Sequence, residues 1–112
     1  MSNFNVKAEL EHLRKDFSEL LTLIEHSNLD ISQVSTKYSD LKLKVAHRLK
    51  TLQEAEKSNK LSPIERHFLL PAIREVRIHC SARIGSQDPE QLISSIYDCE
   101  DYCSSWLSKL DL

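Results

Sequence analysis

Glycine is almost missing from this chain. Gly85 is the only one, and three prolines complete the supply of strong turn formers among 112 residues. A β-sandwich or an α/β domain needs many tight turns, and that need cannot be met here. A glycine-rich loop to cradle phosphates is excluded outright. Cysteine is sparse and odd in number, at three, which fits reduced thiols better than a disulfide framework. No apolar run approaches the ~20 residues needed to span a bilayer. The opening MSNFNVKAEL has no cationic stretch ahead of an apolar one, so no secretory signal is expected. The net charge of −2 offers no general attraction to nucleic acid or membrane.

What the chain does have is helical periodicity. At 40% apolar and 29% charged it has the composition of one ordinary globular domain, spanning 1–112. Val6, Leu10, Leu13, Phe17, Leu20 and Ile24 recur at spacings of three and four, a helical seam that Leu21 widens. A second stripe runs through Val34, Tyr38, Leu41, Val45, Leu49 and Leu52 to about Lys57. Its start is well marked: Asp30 can cap it, Gln33 can close a capping box, and Leu29 can staple onto Val34. The third helix opens at "SPIE", with Ser62 as cap, Pro63 at the first helical position and Glu65 returning to the cap. Gly85 is placed to end it. "DPEQ", residues 88 to 91, repeats the device for a fourth helix with the stripe Leu92, Ile96, Cys99, Cys103, Trp106, Leu107 and Leu110. The expected fold is all-α: an antiparallel four-helix bundle with helices at about 4–27, 31–57, 63–84 and 89–110. Pro71 lies inside the third helix, where it should kink it.

That third helix carries more apolar surface than a bundle needs. Leu69, Ile73, Val76, Cys80 and Ile84 form one stripe. Ile64, Phe68, Pro71, Ile78 and Ala82 lie roughly opposite at ~100° per residue. Either the kink re-phases the helix and both sets enter one core, or the second set covers a partner. Surplus apolar faces on domains of this size usually mark interfaces.

Charge is sorted along the chain. Residues 1–28 hold three cations and five anions, 29–61 seven and four, 62–85 four and two, and 86–112 one and six. The middle helices are thus basic and the outer ones acidic, which favours attraction between neighbours, with Arg74, Arg77 and Arg83 available to Asp98, Glu100 and Asp101. A nucleic-acid reading would use Lys42, Lys44, Arg48 and Lys50 on phosphates, but it lacks a stacking series of aromatics and a zinc motif.

Catalytic groupings are few. Cys99 and Cys103 stand four apart on one face, yet further metal ligands at suitable spacing are missing, and all three cysteines fall on core stripes. "LEHLRKDFSELLTLI" is similar to the first helix of the all-helical chorismate mutases, but Glu25, His26 and Ser27 stand where that family carries a substrate-gripping arginine. "AHRLKT", residues 46 to 51, resembles the short signature of histidine-phosphotransfer domains, which are four-helix bundles with an exposed acceptor histidine. The resemblance implies His47 as phosphoacceptor, Lys50 as its cationic partner and Leu43 as part of a docking surface. Thr51 departs from the small residue, usually glycine, found there in the family.

The reading that follows is a small intracellular, cytoplasmic protein–protein interaction module, an adaptor, inhibitor or regulatory subunit without a reaction, cofactor or metal of its own. Its partner is another protein or a second copy of itself, a homodimer being the commonest outcome. The expected contacts are Ile64, Phe68, Pro71, Arg74, Ile78 and Ala82. Phosphotransfer through His47 and association with nucleic acid are the alternatives.

Overall fold

The computed structural model describes residues 3–26, 31–80 and 89–110, and they form four helices with no strand among them. Helix α1 spans Asn3–His26 and α2 spans Ile31–Lys57. The third helix begins at residue 63, passes through a wide turn at Glu65–Leu69 and continues as α3, Leu70–His79. Helix α4 spans Pro89–Leu110. None of these is long and apolar enough to cross a membrane. Leu29, Asp30, Ala82, Ile84, Gly85 and Asp88 lie outside the described residues.

The apolar stripes fill a shared interior. Val6, Leu10, Leu13, Phe17 and Leu20 of α1 are buried with Val34, Tyr38, Leu41, Val45 and Leu52 of α2. Leu69, Ile73, Val76 and Cys80 meet Leu92, Ile96, Cys99, Cys103 and Leu107 of α4 in the same core. Trp106, Leu49 and Leu110 are only partly covered. Helix α1 packs most closely along α4, and α3 lies against both α2 and α4, while α1 and α2 approach each other less.

Helix α2 ends by a device its composition did not suggest. Asn59 takes the left-handed conformation at φ 57°, a region an asparagine enters more readily than most residues. The Asn59 N–H then donates to the Glu56 carbonyl at 3.0 Å, and the Lys60 N–H to the Ala55 carbonyl at 2.8 Å. These are the paired bonds that close a helix C-terminus when its next residue turns left-handed. Leu61 follows directly into the core.

Three residues on, the expected capping box forms. The Ser62 N–H donates to Glu65 Oε1 at 3.0 Å, and the Glu65 N–H to Ser62 Oγ at 3.3 Å. The helix then widens: the Leu70 N–H bonds to the Glu65 carbonyl, five residues back rather than four. Pro71 has no N–H to continue the ladder, and its ring crowds the carbonyl four residues behind it. A wide turn just upstream is how a helix accommodates such a residue without stopping.

The wide turn also settles what happens to the second apolar set. On a regular helix Ile64 would sit about 140° from Leu69; one extra residue in the turn brings it to about 40°. Ile64 and Phe68 accordingly pack, partly buried, against the core. Ile78 lies beyond the turn, keeps its phase and stays 64% exposed. The helix stops sooner than the expected residue 84. His79 is its last residue, and Cys80 already has ψ 58°.

The capping box gives a pH-dependent prediction. Both the backbone and side-chain bonds to Ser62 hold the Glu65 carboxyl below its ordinary value, against a smaller effect of burial, with Arg48 adding to the depression. A carboxyl depressed on folding contributes stability at pH above its unfolded value and loses it as pH falls through the folded one. Ser62→Ala, which keeps the Ser62 N–H but removes the Oγ acceptor, should cost about 1 kcal/mol in urea unfolding. Glu65→Ala should cost stability at neutral pH by a difference that shrinks as pH falls through the carboxylate range.

Candidate functional site

Among the described residues, two places that bring polar side chains together stand out. The first is where α3 ends against α4. The last carbonyls of any helix lack partners within it, and here the His79 carbonyl accepts a short hydrogen bond from Ser95 Oγ of α4. Ser95 is buried, and its hydroxyl is shared with Tyr38 Oη of α2 at 2.9 Å. One hydroxyl thus links three helices. Beneath it lie the thiols: Cys80 Sγ is 3.3 Å from Cys99 Sγ, and Cys99 also points at the Val76 carbonyl, 3.7 Å away. Above it the His79 imidazole stacks on Tyr102 at 4.2 Å.

The three thiols are not alike. The hydrogen bond with Cys99 holds Cys80 below the ordinary thiol range despite its burial, with Arg77 and Lys42 adding positive potential. Cys99 is pushed far up, first by that same bond and then by burial. Burial pushes Cys103 up to about 12. Among the described residues no group of three cysteine, histidine or carboxylate side chains is arranged to hold a metal ion.

The second place is the seam between α1 and α2. With Ile73 of α3 it forms an open pocket of about 320 Å³, lined by Ala8, Leu13 and Val45 together with the polar Glu9, His12, Lys44 and Arg48. Further along the seam lies another of about 220 Å³. Bridges span the gap. Arg48 donates from Nε and Nη2 to the Glu9 carboxylate at 2.8 and 2.9 Å, and Lys44 reaches Asp16 at 3.1 Å. The Glu9 hydrogen bond raises the Arg48 pKa against the effect of burial. Because the guanidinium fork is engaged by its own neighbour, the pocket presents a closed ion pair rather than an open anion receptor.

The residues expected to make contact are divided. Ile64, Phe68 and Pro71 are half-buried, and Phe68 meets the edge of Trp106 with ring centroids 6.4 Å apart. Arg74 and Ile78 are exposed, and Ala82 lies outside the described residues. Trp106 itself is tied down by Glu75, to which its Nε1 donates at 3.3 Å, and by Lys109 over its ring at 4.0 Å. On α2, Leu43 is 65% exposed, and His47 and Lys50 are exposed with it. Thr51 does not project freely beside them; its Oγ1 bonds back to the His47 carbonyl at 3.1 Å. The charge sorting appears as bridges from α2 to α1, and Glu100 lies 3.8 Å from Arg14 of α1.

Ser95 was not singled out by sequence reasoning, although a signal existed. It stands three residues after Leu92 and four before Cys99, a hydroxyl set into an apolar stripe. Nothing comparable announces the Glu9–Arg48 pair, whose partners are 39 residues apart.

Comparison of the chain with protein families, with curated proteins and with solved structures finds no match.

The buried hydroxyl is open to a direct check. Ser95→Ala leaves the His79 carbonyl without this donor, and should cost about 1–3 kcal/mol in chemical unfolding. Ser94→Ala, one residue earlier and exposed, should stay within about 0.5 kcal/mol of wild type.

Proposed function

We propose that this chain is a small protein–protein interaction module, an adaptor, inhibitor or regulatory subunit with no reaction of its own, and that it pairs with a second copy of itself. The observation that carries this reading is Ile78, which stays 64% exposed on the outer face of α3 beside exposed Arg74 and half-covered Pro71. An isoleucine held outward on a rigid helix with a cation one turn away has the makings of a contact centre, and symmetric pairing is the commonest use of such a face. A reducing, cytoplasmic setting suits three unpaired thiols.

The same reading arranges the helices in alternating directions, with the third bent at Pro71. In support, Glu9 pairs with Arg48 while the later Asp16 pairs with the earlier Lys44. Likewise His79 meets Ser95 while the earlier Glu75 meets the later Trp106.

A second reading, phosphotransfer through His47, draws support from the joint exposure of Leu43, His47 and Lys50 on the outer face of α2. An exposed imidazole is a competent nucleophile, and a nearby ammonium offsets phosphoryl charge. Nucleic-acid association has less support, since Lys44 and Arg48 already face the carboxylates of Asp16 and Glu9.

Sedimentation equilibrium tests the first reading. The wild type should show a concentration-dependent dimer, and Ile78→Asp should remain monomeric with unchanged helical circular dichroism. A wild type that stays monomeric at every concentration, or a dimer indifferent to Ile78→Asp, contradicts it. A phosphoryl label transferred from a receiver domain and lost in His47→Gln would favour the second reading instead.

A further inference from the structure

We propose that Cys80 and Cys99 form a reversible disulfide, making the end of α3 a redox-responsive joint. The two sulfurs lie 3.3 Å apart on neighbouring helices, and neither residue has any exposed surface. A disulfide bond is about 2.05 Å long, so the pair needs to close by only about 1.3 Å. The backbone is placed to allow this. Cys80 is the first residue past the last helical turn, with φ −78° and ψ 58°, and one N–H bond to Val76 holds it to that turn. Helix ends open locally at lower cost than helix centres, which gives a small oxidant its way in.

Cys103 is the weaker candidate for the link. It stands one turn after Cys99 on the same helix. Side chains so spaced keep their Cβ atoms about 5–6 Å apart, beyond the reach of an unstrained disulfide. The thiolate falls to Cys80, whose sulfur is in hydrogen-bond contact with Cys99 and sits in the positive potential of Arg77 and Lys42.

With hydrogen peroxide as oxidant the step balances. The Cys80 thiolate attacks one peroxide oxygen, the O–O bond breaks, and the departing hydroxide takes up a proton and leaves as water. Cys80 is then a sulfenic acid. Cys99 Sγ, giving up its proton, attacks Cys80 Sγ; the S–O bond breaks and the second hydroxide leaves with that proton as water. Two electrons have passed from the thiols to the peroxide, and a dithiol reductant reverses the change.

The full chain, folded, is treated with hydrogen peroxide and its mass and proteolytic fragments are read. The expected product is a single chain lighter by two hydrogens, with no covalent link between chains. It carries one cross-linked fragment pair containing Cys80 and Cys99, is restored by dithiothreitol, and melts several degrees higher. Cys103→Ala should form the link as readily as wild type, and Cys80→Ala should not form it. The wild-type fragment map carries the test even if Cys80→Ala folds poorly. Links through Cys103, links only between chains, over-oxidised thiols without a link, or thiols that react only after denaturation would each overturn the proposal.

Discussion

The third helix is organised around a missing hydrogen. Pro71 cannot donate to the helical ladder, and the chain answers with a turn in which the Leu70 N–H reaches back five residues to Glu65. That single extra residue divides the helix into two phases. Upstream, Ile64 and Phe68 swing towards the core, and Phe68 comes to rest on the edge of Trp106. Downstream, Ile73 and Val76 fill the interior and Ile78 is turned out. Without the wide turn, Ile64 would lie on the side away from Leu69, with Ile78, and could not pack against the core.

The far end of that helix meets the opposite problem, carbonyls instead of a missing donor. Cys80 leaves the helix early, and the free His79 carbonyl accepts from Ser95 of α4. Because Ser95 also bonds Tyr38, the hydroxyl fixes α2, α3 and α4 to one another at a single point. The contact of Cys80 with Cys99 lies within this joint, so any bond formed between those sulfurs would act on the place where three helices are already tied.

Local signals carried far in this chain. The stripes at Val6 to Leu20, Val34 to Leu52 and Leu92 to Leu107 are buried as their spacing implies, apart from half-covered Leu49 and Trp106, and Ser62 and Glu65 cap each other as their separation implies. These are effects within one or two turns, and a sequence states them directly. The end of α2 at Asn59 was harder to see because asparagine marks a left-handed stop less plainly than glycine does. The phase change at Pro71 was harder still: a proline announces a disturbance but not whether the helix bends, breaks or widens. The Tyr38–Ser95 bond and the Glu9–Arg48 pair join residues 57 and 39 positions apart, and no periodicity encodes such meetings. The candidate contact face depended on the phase of the third helix, and the sequence did not state which of its members would stay exposed.

Whether α3 turns Ile78 outward while bringing Ile64 in can be measured at the two positions themselves. The native thiols are all buried, so a cysteine introduced at either site reports its own accessibility to a water-soluble maleimide. Ile78→Cys should label nearly as fast as in the unfolded chain, and Ile64→Cys several-fold more slowly. Equal, rapid labelling at both positions would mean that the helix keeps one regular phase, and the account built on the wide turn before Pro71 would be contradicted.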